Sequence, residues 1–273
     1  MAKSESPVSP ISIKLKWYGT ASILLEYDKT RLLFDPFLSL NAKCFKPPVN
    51  ELSAVENILV THGHLDHIVD IPAILKRGDG TATVYCTAKP REVLVSKGVE
   101  ETRVRLIKPG DCLNFGPFEV RVLKGKHIVF NLGLVLKTFF NPRVFTNRNN
   151  LKYMLTENKI CVEAGEMVVY NISVANKRIL ILGSLNLDDD TEYPEGADLL
   201  ILPFQGRSDI NKYAMPFIDR LQPKKVLLDH FDDTFPPISS NVKTGPFISL
   251  MQRNHPCIPV ICPRPGVEWI DIG

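Results

Sequence analysis

The run Thr61-His62-Gly63-His64-Leu65-Asp66-His67 concentrates three imidazoles and a carboxylate in the positions 62 to 67, and single histidines follow at 127 and 230. Five of the chain's six histidines thus fall where a two-metal centre would need them. Imidazole is the commonest biological ligand for zinc and similar ions, and an aspartate among the histidines adds the negative charge that a second cation requires. A histidine-rich surface turn is the bland alternative, and it gives no reason for a carboxylate inside the cluster.

The elements around the cluster suit the same chemistry. Asn57-Ile58-Leu59-Val60 is an apolar run of strand type that ends where the histidines begin. If the chain stays extended through His64, residues 62 and 64 point the same way, and Gly63 lets the backbone come close to an ion. The segment from Ile68 to Lys76 reads as a helix with Pro72 near its first turn, which leaves Asp66 and His67 in the turn above the strand end.

The six residues 62–67 complete the His-x-His-x-Asp-His signature, and the chain resembles the metallo-β-lactamase superfamily. The opening segment from Ile13 to Tyr27 looks like that family's first strand pair, and Leu32-Leu33-Phe34-Asp35-Pro36 like the strand ending in its first aspartate. Such an opening is similar to the branch of the ascorbate-6-phosphate lactonases. His127, after the strand-like Phe118–Leu123, and His230, after Lys225–Asp229, fall where the family's remaining metal histidines are expected. The resemblance implies an α+β four-layer αββα sandwich. It also implies a first metal held by His62, His64 and His127 and a second held by Asp66, His67 and His230. Zinc is the expected ion, as one or two copies, with manganese and iron also suited to these donors.

One position departs from the family pattern. Where an aspartate normally bridges both metals, the strand-like run from Arg178 to Leu182 is followed by Gly183-Ser184. A hydroxyl is a weak ligand beside a carboxylate, and two divalent ions with Asp66 as the sole anionic ligand would leave about +3 rather than about +2. The second ion is therefore expected to bind less tightly, unless Asp188, Asp189 or Asp190 swings back to substitute.

By this resemblance the reaction is hydrolysis by a metal-bound hydroxide, with Asp66 and Asp35 as the catalytic carboxylates. Asp66 ligates and handles the proton, while Asp35 fixes a ligand histidine by hydrogen bonding. Arg207 offers an anion contact for substrate, or is a solvated loop charge. Asp229 and Asp232 flank His230 and either orient it or, for Asp232 or Asp233, cap a helix. His255 has no partner motif and reads as a surface histidine.

The 273 residues, 44% hydrophobic, suffice for one large core, so residues 11–273 read as one domain behind a flexible segment 1–10. Thirty-three basic against thirty acidic residues give +3, which does not advertise a nucleic-acid groove or an anionic-membrane surface. Six dispersed cysteines without a C-x-x-C pair read as reduced thiols of a cytoplasmic protein. Met1–Pro7 lacks a signal-peptide core and no run of eighteen apolar residues occurs, which weighs against a secreted β-lactamase.

Strand-like segments at 11–18, 22–27, 31–35, 57–60, 82–86, 103–107 and 117–123 dominate the first half, with helices at 68–77 and 89–97. The second half repeats the arrangement, with strands at 167–172, 178–182, 198–203 and 225–229 and helices near 209–221 and 244–253. Residues 128–160 mix Phe130, Phe139, Phe140 and Phe145 with asparagines and arginines. They read either as a lid or dimer contact beside the site or as edge strands and a surface loop, and residues 37–56 are expected to cross near the same face. The leading function is hydrolysis of a small ester, lactone or phosphoester. A phosphodiesterase or nuclease of the same superfamily, and a metal-binding protein with little activity because of Ser184, remain as alternatives. The expected partner is a small molecule rather than a nucleic acid or membrane, with a homo-oligomer open.

Overall fold

Alternation in Lys14-Leu15-Lys16-Trp17 buries Leu15 and Trp17 on one side while Lys14 faces solvent, as a strand with one covered face requires. The computed structural model describes residues 12–131, Gly133 and residues 140–273, so the N-terminal segment and Phe139 lie outside the described residues. One seven-stranded sheet is built from β1 (Lys14–Gly19), β2 (Ser22–Tyr27), β3 (Thr30–Phe34), β4 (Asn57–Leu59), β5 (Thr83–Cys86) and β6 (Val104–Leu106). The other contains β7 (Cys112–Phe115), β8 (Phe118–Lys124), β9 (Val168–Val174), β10 (Lys177–Leu182), β11 (Leu199–Pro203), β12 (Val226–Asp229) and β13 (Val260–Ile261). The last strand, β14 (Ile270–Asp271), returns to pair with β1.

Each half begins as an antiparallel meander and continues as parallel strands. β1, β2 and β3 are antiparallel and β3 to β6 parallel. Likewise β7 to β10 are antiparallel and β10 to β13 parallel. Strands β11 and β12 are buried at every residue, so they read as continuous apolar runs rather than alternating ones.

Three apolar clusters define the layers. Between the sheets, Leu15, Trp17, Ile23 and Phe34 pack with Val120, Tyr170, Ile172 and Ile181. On the outer face of the first sheet lie α1 (Val49–Ser53), α2 (Leu65–Ile68), α3 (Ile71–Arg77) and α4 (Ala88–Ser96). α5 (Arg143–Thr146) precedes α6 (Arg148–Glu157), whose Met154 joins the same cluster. On the outer face of the second sheet lie α7 (Ile210–Tyr213), α8 (Met215–Leu221) and α9 (Gly245–Asn254), against Leu180, Leu200 and Leu228. Helices, sheet, sheet and helices form the expected αββα sandwich.

The structure corrects several local expectations. Residues 140–160 are not edge strands: they carry α5 and α6, with Met154 buried and Leu151 and Glu157 half-buried at helical spacing on either side of it. Residues 37–56 contain α1, and residues 39–44 bind Thr234 and Asp233 instead of lining the cavity. β7 was hidden because Cys112-Leu113-Asn114 has little strand character. Its pairing is set by the two-residue Gly116-Pro117 loop, where Gly116 takes φ +54°.

Candidate metal centre

The histidine cluster begins where β4 stops, at the carboxyl end of the parallel strands. Val60 still bonds the Tyr85 carbonyl, and Thr61 then turns to Asp35, which accepts from its amide at 2.8 Å and its hydroxyl at 2.6 Å. A Cβ on Gly63 would sit 2.3 Å from the Val162 carbonyl oxygen, so only glycine lets His62 and His64 bracket this approach. Asp66 and His67 come from the first turn of α2, with His64 at its N-cap, rather than from an irregular turn. At 183, a Cβ would meet Thr61 Cβ and Oγ1 at 2.3 Å, which explains the glycine before Ser184.

Two groups of donors converge. The ligand atoms of His62, His64 and His127 lie within 4.8 Å of one another, and so do those of Asp66, His67 and His230. In the first, His62 Nε2 and His64 Nδ1 face each other at 3.0 Å. In the second, Asp66 Oδ2 is 3.0 Å from His230 Nε2 and 3.7 Å from His67 Nε2.

The hydrogen bonds on the far side of each ring assign the tautomers. The Thr61 hydroxyl donates to Asp35, so it accepts from His62 Nδ1 at 3.0 Å. His67 Nδ1 donates to Asp35 Oδ2 at 2.9 Å, His127 Nδ1 to the Ile128 carbonyl at 2.9 Å, and His230 Nδ1 to Gln205 Oε1 at 3.0 Å. Four histidines therefore present Nε2, and His64 presents Nδ1.

Electrostatics separate the two groups. Burial, reinforced by neighbouring imidazoles, holds His62 well below the usual histidine range, and burial also lowers His64 to about 4 and depresses His127. These rings are neutral at pH 7, with lone pairs free. Burial alone would raise Asp66, but His67 and the hydrogen bond from His230 hold it below the usual carboxylate range. Burial likewise lowers His67 and His230, yet Asp35 and Asp66 together more than offset it for His67, and Asp66 with Asp232 for His230, so both are raised. Three neutral imidazoles, and beside them two imidazoles with a carboxylate, are donor sets that fit divalent zinc, manganese or iron.

The remaining expected residues sort themselves by position. Asp35, 1% exposed and at φ +43°, lies behind His67, 2.9 Å from its Nδ1, and is not among the residues that line the cavity. Ser184 Oγ accepts from the Ile128 amide at 3.1 Å, bracing the loop that carries His127. Asp188 pairs with Lys124 and Asp189 with Lys126, so neither turns toward the centre. Arg207 is on the cavity wall, but its guanidinium is held by Asp209 at 2.8 and 2.9 Å and stacked over Tyr213. Asp229 is buried with Oδ1 unpartnered among the described residues, and burial drives its carboxyl well above the usual range. Asp232 accepts from the Thr20 amide, and Asp233 binds Arg143 and Ser239; neither caps a helix. His255 is not unpartnered, since Asp219 lies 2.9 Å from its Nε2.

Gln205 escaped the sequence reading. Its Nε2 donates to the Ser240 carbonyl at 3.3 Å, which fixes the amide with Oε1 toward His230. Its only signal was its place just beyond the buried strand β11, a site-facing strand end. His230 itself takes φ +58° while its amide bonds the Thr20 carbonyl at 2.8 Å. Both donor groups open into one cavity of about 720 Å³, also lined by Met154 and Asn158 of the α6 region.

Comparison with known proteins bears on this geometry. The sequence model of the beta-lactamase superfamily domain matches residues 30–231. A UPF0173 metal-dependent hydrolase of Rhizobium etli is 34% identical over 116 residues, 42% of this chain and 48% of its own, so the chain spans about half the length of that relative. A UPF0173 protein of Pyrococcus abyssi is 26% identical over 226 residues, covering 80% and 83%. A metallo hydrolase from Ignicoccus hospitalis superposes with TM-score 0.61 at 17% identity, covering 95% and 98% of the two chains. The diiron β-hydroxylase CmlA from Streptomyces venezuelae gives 0.59 at 13% identity, covering 96% of this chain and 55% of its own. These likenesses show the fold.

Proposed function

The chain belongs to the beta-lactamase superfamily, and from that premise we propose that it is a metal-dependent hydrolase of small esters, lactones or phosphoesters. The observation that carries the reading is the pairing of two donor groups, His62/His64/His127 and Asp66/His67/His230, at the floor of one cavity. Divalent ions held by these residues would supply Lewis acidity toward the substrate oxygen and a water acidic enough to act as nucleophile near neutral pH. Zinc is the ion proposed; the diiron neighbour of the same fold makes iron the alternative to test.

The chain's own residues divide the work. Asp66, ionised at neutral pH, supplies negative charge between His67 and His230 and orients the attacking water. Asp35, Thr61, Gln205 and the Ile128 carbonyl keep the imidazole donors aimed inward. Leu65, Ile128 and Phe235 in the cavity lining limit bulk water around the scissile bond. Elemental analysis of the purified protein, paired with a panel of lactones, carboxylic esters and phosphodiesters, tests this. Turnover of lactones or esters with bound metal is expected. Turnover of phosphodiesters alone would favour the phosphodiesterase or nuclease, and full occupancy without turnover of any of them a metal-binding role.

A further inference from the structure

The cavity that holds both donor groups has an uneven charge inventory. Among the described residues its lining contains one carboxylate, Asp66, and that is engaged by His67 and His230. It contains two cations besides the histidines, Arg207 and Lys243. Arg207 is neutralised by its two-pronged pairing with Asp209. Lys243 is exposed and has no carboxylate partner among the described residues.

Its backbone is tied to the centre. The Val242 amide donates to the Phe231 carbonyl at 2.8 Å, one residue beyond His230, and the Ser240 carbonyl accepts from the same Gln205 amide that holds His230. The lining also carries Leu65, Ile128, Phe130, Phe235, Ile238 and Val242, interspersed with neutral polar residues such as Ser208, Asn211, Ser240 and Asn241. Phe130 and Ile238 are exposed although large and apolar, as a wall left for a ligand to cover would be.

We propose that the substrate is an amphiphilic organic anion whose carboxylate pairs with Lys243, whose apolar body lies along this wall, and whose ester or lactone bond lies at the donor groups. One ammonium matches one singly charged carboxylate; a phosphate dianion would call for a second cation or a fork of N–H donors. The inference rests on the hydrolase reading for the reacting bond, but not for the anion contact.

The test uses binding as well as turnover. Zinc-loaded protein is titrated calorimetrically with monocarboxylates and dicarboxylates matched in chain length, from valerate and glutarate to octanoate and suberate. At the length that spans floor to Lys243, the dicarboxylate binds about fivefold more tightly, the scale of a partly exposed ion pair. Lys243→Arg keeps this preference, Lys243→Ala removes it, Lys243→Glu reverses it, and added salt shrinks it. In turnover, Lys243→Ala lowers kcat/KM for a p-nitrophenyl ester ending in a carboxylate more than for its neutral counterpart. A dicarboxylate advantage at no length, or one that persists in Lys243→Ala, overturns the assignment. If neither these esters nor the lactones and phosphodiesters of the panel are turned over at full metal occupancy, the hydrolase reading fails while the calorimetry still decides the role of Lys243.

Discussion

Replacing Asp35 with asparagine changes one atom type in a fully enclosed position and has a consequence that can be worked out bond by bond. Oδ1 accepts from the Thr61 amide, and Oδ2 accepts from both the Thr61 hydroxyl and His67 Nδ1. An amide has one oxygen. If it stays toward the Thr61 amide, an NH2 group faces His67 Nδ1, and the ring can keep a bond only by moving its proton to Nε2, the atom aimed at Asp66. That removes His67 as a ligand. If the amide flips, the buried Thr61 N–H faces another donor, which costs about 1–3 kcal/mol. Loss of such a partner typically weakens metal binding about 10–100-fold, or about 1.4–2.7 kcal/mol, the same scale.

Zinc titration of wild type and Asp35→Asn against a competing chelator measures the outcome. The second group should lose about 10–100-fold in affinity while the first loses less, because Asp35 reaches it only through the Thr61 hydroxyl behind His62 and the Ile128 carbonyl anchors His127 independently. The pH dependence has a definite sign. Burial lowers the His67 pKa, but Asp35 and Asp66 more than offset it, so in wild type protons compete with metal from a higher pH. Without the Asp35 charge that competition starts lower, and the deficit of the variant narrows as pH falls. Equal losses in both groups, or wild-type affinity in the second, would refute the account of Asp35 as the residue that aims His67.

Other tests follow from the same contacts. Ser184→Asp should raise occupancy of the second group by adding the missing negative charge, whereas Ser184→Ala strands the Ile128 amide and should destabilise the fold by about 1–3 kcal/mol in denaturant titration. Gln205→Leu removes the acceptor for His230 Nδ1 and should weaken the second group about tenfold in the chelator assay, with Gln205→Glu at least restoring the loss. As pH is lowered, metal should leave the second group first, because His67 and His230 are raised while burial keeps His62, His64 and His127 depressed; metal content after dialysis at stepped pH reads this order. Met154→Ala should cost about 2–5 kcal/mol, since that side chain is fully buried beneath α6 and also lines the cavity.

What was legible in the sequence follows from how local each signal is. Residues 62–67 announce chemistry because one strand end and one helix turn carry four donors within six residues, and β4 and α2 bring them to the same end of the sheet. The parallel strands were legible too, as apolar runs of the length that burial on both faces demands. Gln205, Lys243 and the helical character of residues 143–157 were not. Gln205 matters because its amide joins the Ser240 carbonyl and the His230 ring, brought together from three places, through two hydrogen bonds. Arg207 and Lys243 differ in free charge for a reason no spacing rule holds: Asp209 reaches back two residues to pair with the arginine, whereas the lysine meets no acid among the described residues. Donor identity is thus written locally in this chain, while donor orientation and the free charge of the cavity are properties of the assembled fold.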